Sequence, residues 1–504
     1  MHAIHSASDS AFQDHVSAPR GQGALPSGGA CGAAGGSACG DFLTLGLSLS
    51  DGRIAQAGFE AEGCAALTAA ASATVELLRD LPLLAAARIG RDEISAALDG
   101  LSPERIHAAV LAEEALHRAL GELVTHGEDS LLPAVARRKL VAMSGGVDSA
   151  VAAQLLIDDD AEAVGVTLQL WDDPATDGTA SCCSPQAVTV ARRLAHDMDM
   201  PHFTVDLRDA FRRGVVDPYL SAFGEGLTPN PCVGCNGHVR FDALDAIRGR
   251  LGAATLATGH YARIERDGEG ALLAAAVDDN KDQTYMLAAL DPLLLERLEF
   301  PLGEIVKPEV RRQARNAELS VADKPESQDL CFLAGIGRDE FLRRHGGRGD
   351  RPGRIVDADG HELGRHRGAF RFTVGQRRGL GIAAAHPLYV VDVDARSNEV
   401  VVGPRDALDT TSVSLIGVRL LRDGAEVDRV KLRYRNAPQA CTIDGGPKAG
   451  RHRKLTLTLE EPVAGAAPGQ IACLMRGNAV VGWATIARQR RNETAALADA
   501  RMSA

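Results

Sequence analysis

Residues 144–149 have the sequence Ser-Gly-Gly-Val-Asp-Ser and lie between an apolar run and a helical stretch. The run Lys139–Met143 predicts a β-strand and the stretch Ala150–Ile157 predicts a helix, so a glycine loop joins the two. Gly145 and Gly146 allow the backbone to come close to a ligand. The amides and the dipole at the start of a helix favour an anion there. The loop therefore predicts an α/β domain with a binding site for phosphate.

The same six residues differ from a phosphate loop of the Walker type. They lack the Lys-Ser/Thr pair and the longer spacing with which that loop reaches the β- and γ-phosphates and magnesium. The hexamer resembles instead the pyrophosphatase loop, or PP-loop, of enzymes that adenylate a substrate and release pyrophosphate. An ordinary glycine-rich turn is the alternative that the hexamer alone leaves open.

Length and cysteine content limit the class of protein. A chain of 504 residues, 45% of them hydrophobic, has room for about three or four domains. No apolar run approaches the roughly 18 residues that span a bilayer, and Met1–His15 lacks the apolar segment of a signal peptide. We therefore expect a cytosolic protein with no membrane partner. Ten cysteines, two of them adjacent and two spaced Cys-x-x-Cys, favour metal or thiol chemistry over a secreted disulfide framework.

The net charge of −12 is unevenly distributed along the chain. Residues 1–136 carry seven arginines, no lysine and seventeen acidic residues, which gives −10 and leaves −2 for the remainder. Gly337–Gly379 holds eleven arginines against six acidic residues, a local balance of +5. Such an excess is typical either of a phosphate-binding surface or of an ordinary solvated basic surface. The acidic total therefore does not exclude a nucleic-acid partner.

The hydrophobic pattern predicts a different fold class in each part of the chain. After a flexible glycine-rich loop at Gly21–Gly40, a small α+β unit is predicted from Phe42–Leu49, Ile54–Phe59, Ala65–Leu78 and Pro103–Val124. Alternating strands and helices then predict a parallel sheet with strands Leu140–Met143, Ala163–Trp171, His202–Leu207 and Thr255–Tyr261. Beyond about residue 335, one or two small β-barrels are predicted from Pro387–Val393, Glu399–Val402, Val413–Leu420, Arg429–Tyr434 and Lys454–Leu459.

Three cysteines lie on predicted loops of the α/β part. Cys232 and Cys235 belong to Thr228–Asn236, which two prolines stiffen, and Cys331 belongs to Glu326–Phe332. Cysteines in such positions serve as ligands of a structural metal, as a redox pair or as a sulfur relay. The spacing alone leaves these alternatives open.

A series of motifs follows the glycine loop along the chain. They are Ser144–Ser149, Thr228–Asn236, Ala257–Arg263, Lys281–Tyr285, Phe300–Gly303, Lys324–Phe332 and Thr373–Gly381. In their order and spacing, roughly residues 138–488 resemble the bacterial tRNA-specific 2-thiouridylases. Members of the family convert wobble uridine 34 of certain tRNAs to 2-thiouridine with ATP and persulfide sulfur. The resemblance implies an adenine nucleotide alpha hydrolase-like PP-loop domain that adenylates the uracil C2 oxygen, with Mg²⁺ neutralising the phosphates.

The resemblance also implies a role for each matched residue. The cysteine matching Cys331 carries the persulfide and the one matching Cys235 is the nucleophile, and a disulfide between them is left for a reductant to open. The implied ATP-binding residues are Ala142, Met143, Ser144, Gly145, Gly146, Val147, Asp148, Ser149, Leu168 and Gly259. The implied contacts with the target base and the tRNA are Asn230, Pro231, Cys232, His260, Lys281, Asp282, Gln283, Arg433, Tyr434 and Gln470. For His260, the structural alternative is a turn that follows a strand. For Arg433 and Tyr434, it is an ordinary exposed Arg–Tyr pair.

The position of Cys232 is acidic in some members of the family, so three thiols here allow a second mechanism. Cys232, Cys235 and Cys331 could hold a [4Fe–4S] cluster whose open iron binds sulfide. Cluster-dependent thiolation is therefore an alternative to the persulfide relay. We expect only structural roles for the remaining cysteines of this part, Cys182, Cys183, Cys441 and Cys473.

The first 125 residues contain a second set of motifs, around Asp14–Gly23, Ala38–Asp41, Gly63–Ser72 and Arg105–Ala115. In these motifs the segment resembles the NifU/IscU-type iron–sulfur scaffolds. The chain keeps Cys39, Asp41, Cys64 and His107 as candidate metal ligands, whereas Ala108 replaces the third cysteine of that family. The resemblance implies a zinc or iron–sulfur cluster site, with Cys31 of the glycine-rich loop as a substitute ligand, or a docking module that has lost its metal. A working site would receive sulfur from a persulfide donor such as a cysteine desulfurase or a sulfur carrier, or it would pass a cluster to Cys232, Cys235 and Cys331.

The patterns and the two resemblances together predict a multidomain chain. The expected parts are a NifU/IscU-like α+β scaffold domain (1–125), a linker (126–137), an α/β PP-loop catalytic domain with a parallel sheet (138–335), a central β-rich tRNA-contacting domain (336–408), a C-terminal β-barrel (409–490) and a tail (491–504). Rival functions are an iron–sulfur assembly carrier with a vestigial PP-loop domain and a different PP-loop enzyme such as an amidating ligase. The complete PP-loop argues against the carrier, and the two cysteine loops argue against the ligase.

Overall fold

A computed structural model describes residues 10–36, 40–127, 129–173, 184–325, 330–347 and 349–488. The chain divides into two compact units. The first consists of Met1–Arg208, Asp242–His260 and Arg297–Phe332, and the second of Asp209–Phe241, Tyr261–Glu296 and Leu333–Ala504. Within the described residues, no helix has both the length and the apolar composition that crossing a membrane requires.

The front of the first unit is a three-stranded sheet covered by helices. Its elements are α1 (Ser10–Ser17), β1 (Ala30–Gly35), β2 (Phe42–Ser50), β3 (Arg53–Glu62), α2 (Ala65–Leu77), α3 (Leu83–Ala86), α4 (Arg91–Ala96) and α5 (Ile106–His126). The strands pair antiparallel in the order β1-β2-β3, and α5 packs against β1 and β2. The α+β fold expected here is confirmed.

Strand β1 corrects one expectation, because it lies inside the stretch predicted to be a flexible loop. It contains only Ala, Cys and Gly and has none of the β-branched or aromatic residues that favour strands. Its backbone pairs with β2 along all six residues. Tertiary pairing, and not local preference, therefore makes this segment a strand. Cys31 consequently lies in β1 and not in a flexible loop.

The central part of the chain alternates strands and helices. Its elements are β4 (Val135–Ala142), α6 (Val147–Asp158), β5 (Glu162–Gln169), α7 (Pro185–Asp197), β6 (His202–Asp206), α8 (Arg208–Phe211), α9 (Asp217–Gly224), α10 (Pro231–Cys235), α11 (Phe241–Arg250), β7 (Ala253–Thr258), β8 (Arg263–Asp267), β9 (Gly270–Ala274), α12 (Thr284–Leu287), α13 (Pro292–Leu295), β10 (Leu298–Glu299) and α14 (Lys307–Asn316). Five of the strands form a parallel sheet in the order β10-β7-β4-β5-β6. The predicted parallel sheet is confirmed.

The strand order reverses beside β4. From β4 the chain adds β5 and β6 on one side, and later β7 and β10 on the other. In open parallel sheets, ligands bind outside the carboxyl ends of the strands at such a point. The loops that follow β4 and β7 therefore meet at the edge where a ligand is expected.

Helix α5 of the front domain also packs against β6, the edge strand of the parallel sheet. The His202 amide donates to the Ala87 carbonyl oxygen at 3.0 Å. Arg192 of α7 pairs with Glu113 of α5 at 3.2 Å, and these side chains are only 8% and 14% exposed. An edge strand presents backbone groups that invite pairing with another chain. The front domain covers this edge within the same compact unit.

The second unit contains two further β structures. Its later elements are α15 (Gly337–His345), β11 (Gly353–Val356), β12 (Glu362–His366), β13 (Tyr389–Asp394), β14 (Glu399–Gly403), β15 (Asp409–Leu420), β16 (Arg429–Lys431), β17 (Gln439–Ile443), β18 (Gly450–Ala464), β19 (Ile471–Arg476) and β20 (Ala479–Ile486). Strands β11–β14 form a four-stranded sheet in the order β12-β11-β14-β13. The shorter turns are π-helical at Arg212–Val216 and Asn236–Arg240 and 3₁₀-helical at Ala369–Arg371, Arg405–Leu408 and Gly424–Glu426.

Six strands of the second unit close into a barrel. Their order is β15-β18-β17-β16-β19-β20, and pairing of β15 with β20 completes the ring. Cys441 and Cys473 are buried in its strands, and burial raises the pKa of each thiol to about 12. The predicted barrel is confirmed. The predicted strand Arg429–Tyr434 is shorter than expected, because β16 ends at Lys431 and a turn follows.

Candidate functional site

The glycine loop lies at the carboxyl end of β4, where the strand order reverses. The Ser144 amide donates to Ser149 Oγ at 3.1 Å, and Ser149 Oγ donates to the Gly146 carbonyl oxygen at 3.1 Å. Helix α6 begins at Val147, directly after the loop. The first amides of a helix have no acceptor inside that helix, so they are available to an anion. The predicted strand, loop and helix are confirmed.

The segment after β7 packs against the same helix start. A Cβ built on Gly259 would lie 2.7 Å from the Ser149 amide nitrogen, so only glycine allows this approach. His260 Nδ1 lies 2.7 Å from Thr258 Oγ1, and its ring stands edge-on to Phe300 with the centroids 6.4 Å apart. The structure thus brings Gly259 and His260 to the loop.

The other nucleotide-binding residues expected from the sequence lie on the neighbouring strands. Ala142 ends β4, and the Met143 amide donates to the Val166 carbonyl oxygen of β5 at 2.8 Å. Leu168 is buried two residues further along β5. These apolar residues lie beside the loop at the carboxyl edge of the sheet, which suits the apolar surface of a nucleotide base.

Two lysines from later segments contact the loop. Lys307 Nζ lies 2.6 Å from Asp148 Oδ1, and Lys324 Nζ donates to the Gly145 carbonyl oxygen at 2.8 Å. These partners are 159 and 179 residues apart in the sequence, so neither contact follows from a local pattern. One sequence signal exists at Lys307, because it is a cation at the first position of a helix, where the dipole disfavours positive charge.

Cys331 follows the second lysine and lies in the first unit. It is half-buried, and the ring of its neighbour Phe332 stands edge-on to Trp171 with the centroids 6.4 Å apart. Trp171 follows β5, so this contact holds the end of the cysteine segment beside the carboxyl edge of the parallel sheet. Residues 326–329 of the same motif lie outside the described residues.

Cys235 lies in the second unit, at the end of α10. It is buried, and Cys232 in the first turn is half-buried. Asn230 caps the helix, because its Oδ1 accepts the Cys232 amide at 3.1 Å. Pro231 occupies the first helical position, where its fixed φ and missing N–H are tolerated. The approach of Cys235 to Cys331 remains a prediction.

Three of the expected tRNA contacts form one loop of the second unit. Asp282 is buried, and its Oδ2 accepts Lys431 Nζ at 3.0 Å and Thr284 Oγ1 at 2.7 Å. Gln283 Oε1 accepts the Tyr261 amide at 2.9 Å. Lys281 is partly exposed. Asp282 and Gln283 therefore fix the loop, and Lys281 is the member with the cationic group suited to a phosphate.

The barrel supplies the remaining residues predicted to contact tRNA. Arg433 Nη2 donates to the Gly465 carbonyl oxygen at 2.6 Å, and the Tyr434 ring lies 6.5 Å from that of Tyr285. Gln470 Nε2 donates to the Thr228 carbonyl oxygen at 2.7 Å. This last bond ties the barrel to the segment that carries Asn230, Pro231 and Cys232. Gln470 therefore positions the Cys235 motif.

A second cluster of reactive groups lies in the front domain. Asp41 Oδ2 is 3.2 Å from Cys64 Sγ and 3.2 Å from His107 Nε2, and the last two atoms are 3.7 Å apart. Asp41 is buried, whereas Cys64 and His107 are partly exposed. Burial is the main cause that raises the pKa of the Cys64 thiol. Three of the four metal ligands predicted from the sequence thus come together, and Cys39 lies outside the described residues.

The orientation of His107 suits a metal ligand. Its Nδ1 lies 2.9 Å from the Glu104 carbonyl oxygen, which can only accept a hydrogen bond, so Nδ1 carries a hydrogen. In the neutral form of such a ring, Nε2 keeps a lone pair, and here Nε2 faces Asp41 and Cys64. A lone pair, a carboxylate and a sulfur atom that face one another are stabilised by a cation. The donor set of one sulfur, one nitrogen and one carboxylate oxygen fits Zn²⁺. Cys31 is not part of this group among the described residues, and Ala108 is buried. Cys182 and Cys183 lie outside the described residues.

Comparison with known proteins decides the family. A protein from Rubrobacter xylanophilus named "Bifunctional protein NifU/MnmA" is 44% identical over 488 residues, which cover 94% of this chain and 98% of that protein. The chain belongs to the bifunctional NifU/MnmA family. Proteins named "tRNA-specific 2-thiouridylase MnmA" match about two thirds of the chain. The one from Geobacter metallireducens is 42% identical over 69% of this chain and 95% of its own length. The one from Methylobacterium is 45% identical over 67% of this chain and 89% of its own length.

Profiles of four domain families match successive parts of this NifU/MnmA chain. They are the NifU-like N terminal domain (residues 8–126), the tRNA methyl transferase HUP domain (137–335), the tRNA methyl transferase PRC-barrel domain (339–404) and the aminomethyltransferase β-barrel domain (418–486). The multidomain fold class predicted from the sequence is confirmed. The glycine loop lies in the HUP domain, and the Asp41, Cys64 and His107 group lies in the NifU-like domain.

Proposed function

We propose that the chain is an ATP-dependent tRNA-uridine 2-sulfurtransferase that acts on wobble uridine 34. The observation that carries the proposal is the glycine loop at the point where the parallel sheet reverses its strand order, with Gly259 packed against the same helix start. The two relatives named 2-thiouridylase support it. Methyl transfer, which the names of two domain families mention, needs neither a phosphate loop nor two cysteine loops.

Adenylation is the first step. The uracil C2 oxygen attacks the α-phosphate of ATP, the bond to the β-phosphate breaks, and pyrophosphate leaves. The amides of Gly145 to Val147 bind the phosphates through the dipole at the start of α6. Mg²⁺ bound to ATP neutralises phosphate charge, and the carboxylate of Asp148 offers the oxygen ligand that such a cation prefers. Ala142, Met143, Leu168 and Gly259 hold the nucleoside.

Sulfur transfer is the second step. A persulfide donor, such as a cysteine desulfurase or a sulfur carrier, loads Cys331. The Cys235 thiolate then attacks the inner sulfur, which frees hydrosulfide to displace AMP from C2 and leaves a Cys235–Cys331 disulfide. In the variant order, the outer persulfide sulfur attacks C2 first. A reductant reopens the disulfide in both cases, because two electrons have left the thiols.

Recognition of tRNA falls to groups of the second unit and to His260. Asn230, Pro231 and Cys232 border the target base, while Lys281 and Arg433 with Tyr434 meet the RNA backbone. Arg377 and Arg378 are exposed and belong to the arginine-rich segment Gly337–Gly379. Their charge suits phosphate contacts, which dominate affinity for nucleic acids. Asp282, Gln283 and Gln470 take part by holding these loops in place.

The NifU-like domain offers a candidate metal site of its own. Cys64, His107 and Asp41 would hold a zinc ion, and Cys39 is the fourth ligand that the sequence resemblance implies. Such a site would serve sulfur delivery. A bound cluster at Cys232, Cys235 and Cys331 is the alternative mechanism.

The test is a thiolation assay on the full chain. Purified protein, tRNA, ATP with Mg²⁺ and a persulfide source are expected to give 2-thiouridine, measured by nucleoside mass spectrometry. Cys331→Ala and Cys235→Ser are expected to abolish the product, whereas Cys31→Ala, which removes an exposed thiol of β1, keeps it. No product from the wild type contradicts the proposed function. Product from iron-free protein excludes an obligatory cluster, and undiminished product from Cys331→Ala excludes the persulfide relay.

A further inference from the structure

One outer face of the C-terminal barrel carries a row of directly paired residues that crosses five strands. The row follows β16, β19, β20, β15 and β18 and consists of Lys431, Cys473, Trp483, Arg419 and Arg451. Residues that lie directly opposite each other on paired strands share one face of the sheet. Apolar residues that alternate with the row, such as Leu474 and Leu420, belong to the buried core of the barrel. The row therefore lies on the outside of the barrel.

The two ends of the row differ in exposure. At β16, Lys431 is buried in an ion pair with Asp282, whose loop also carries Lys281, and Nζ lies 3.0 Å from Oδ2. At β15 and β18, Arg419 is 30% exposed and Arg451 is exposed. Neighbouring strands lie about 4.8 Å apart, so four strand spacings place Arg451 roughly 19 Å from Lys431 along the sheet. The row thus begins at the loop proposed to contact tRNA and ends in solvent.

The exposed end of the row belongs to a strongly basic surface. Lys454 of β18 lies opposite the exposed Ile416 of β15 and shares the outer face with Arg451. Arg453, between the two cations of β18, is also exposed. Residues 445–459 contain four lysines and arginines and no acidic residue. Such a concentration of cations attracts a polyanion.

The placement of these charges favours an extended anion as the ligand. Arg419 and Arg451 lie directly opposite each other, and like charges in that relation destabilise a sheet. Asp291 offsets part of the repulsion, because one of its carboxylate oxygens lies 3.6 Å from Arg419 Nη2. The exposed Glu460 and Glu461 lie in the other half of β18. A chain of phosphates along the basic end of the row would compensate the remaining repulsion.

Trp483 favours RNA over an acidic protein as this ligand. Its indole is partly exposed and lies opposite Arg419 in the row. Aromatic side chains beside cations are typical of surfaces for single-stranded nucleic acid, because bases stack on the ring while the cations bind phosphates. An acidic protein would match the cations but not the ring. The row also continues from the loop of Lys281, so a single RNA can contact both.

We propose that the outer face of β20, β15 and β18 is a second tRNA-binding surface, in which Arg419, Arg451 and Lys454 bind backbone phosphates beside Trp483. The inference rests on the proposed function, because it takes the RNA at Lys281 to be the tRNA substrate. The surface holds the tRNA equally before and during the reaction. It therefore lowers KM for tRNA and leaves kcat unchanged.

The test measures the binding of a tRNA transcript to the full-length protein by fluorescence anisotropy at several salt concentrations. The double variant Arg451→Gln with Lys454→Gln is expected to weaken binding about tenfold at low salt. The slope of log affinity against log salt concentration is expected to fall by roughly 1.5, since each phosphate contact contributes about 0.7–0.9. Arg79→Gln with Arg193→Gln is the matched control, because it removes two exposed charges from the first unit. The control is expected to keep the wild-type affinity and slope.

Two further measurements distinguish a binding role from a structural one. In the thiolation assay, the double variant is expected to raise KM for tRNA about tenfold and to keep kcat within about twofold of the wild-type value. Trp483→Leu is expected to weaken tRNA binding about tenfold while the salt slope is unchanged, because base stacking adds affinity without a phosphate contact.

Unchanged tRNA affinity in the double variant overturns the inference, and the surface would then be assigned to an acidic protein. An equal loss of affinity in the control variant also overturns it, because net charge alone would explain the effect. The two proposals fail separately. Binding of tRNA that requires Arg451 and Lys454, without any 2-thiouridine from the wild type, contradicts only the proposed function. Normal 2-thiouridine formation with unchanged tRNA affinity in the double variant contradicts only the second surface.

Discussion

Gly121 of α5 lies against the carbonyl oxygen of Thr204 in β6, so close that a Cβ built on Gly121 would be 1.9 Å from that oxygen. The NifU-like domain and the edge of the parallel sheet therefore meet backbone to backbone. Because backbone cannot move aside as a flexible side chain does, any larger residue at 121 must separate α5 from β6.

The first prediction follows from this contact. Gly121→Ala is expected to lower the free energy of unfolding by about 1–3 kcal/mol, the usual cost of overpacking. Gly249→Ala in α11 is the matched control, because nothing lies within 4 Å of the added methyl group. The control is expected to raise stability by up to about 1 kcal/mol, since alanine favours a helix. Urea unfolding measures both, and equal shifts in the two variants would contradict the contact.

The second prediction concerns the buried pair Arg192 and Glu113 at the same interface. Glu113→Gln leaves the Arg192 guanidinium without its charge partner, and its Nε has no acceptor among the described residues. Breaking a buried pair costs about 3–5 kcal/mol. We expect a large drop in the denaturation midpoint and faster proteolysis between α5 and β4. The pair Arg312 and Glu309, whose side chains are 69% and 30% exposed, is the comparison, and Glu309→Gln is expected to lower the midpoint far less.

A dependence on pH is the third prediction. Burial, reinforced by Arg192, lowers the pKa of His117 and His202 well below the ordinary value of 6.5. The unfolded chain takes up these protons below pH 6.5 while the folded chain does not, so stability falls as the pH drops through that value. Two such residues give a loss of roughly 2–3 kcal/mol between pH 7.5 and 5.5.

Chemical unfolding at these two pH values tests the effect. Replacing both His117 and His202 by Gln is expected to flatten the dependence, whereas His126→Gln, a change at a histidine that is 68% exposed, keeps it. If the pH dependence of stability is unchanged in the double variant, titratable groups other than His117 and His202 cause it.

The fourth prediction is metal binding by the NifU-like domain. The full chain is expected to bind one equivalent of Zn²⁺ tightly, as measured by competition with a chromophoric chelator. Cys64→Ser and His107→Ala are each expected to weaken the affinity for this Zn²⁺ at least tenfold, because each variant removes one of the metal ligands. His361→Ala is the control, because His361 belongs to a second and more exposed group, which it forms with Asp357 and Asp359. Unaltered binding in both ligand variants would refute the site.

Most of the fold was open to prediction because it follows from local pattern. Apolar runs such as Ala163–Trp171 predicted parallel strands, and the observed β5 spans Glu162–Gln169. Strand β1 was not predictable in this way, because its Ala and Gly residues have no strand preference and only pairing with β2 orders them. The end of β16 at Lys431 was likewise set by the turn that follows, not by the apolar pattern.

For the site, the sequence alone determined the glycine loop, the cysteine motifs and the incomplete ligand set of the NifU-like domain, since each is a short stretch whose residue types fix its chemistry. Only the tertiary structure decided which distant groups join them. Strand order brought Gly259 to the loop, and helix packing brought Asp41, Cys64 and His107 together. The fold also brought Lys307 and Lys324 to a loop that has no lysine of its own. Ion pairs and hydrogen bonds form between groups that are close in space, so a pattern of neighbouring residues does not reveal such contacts.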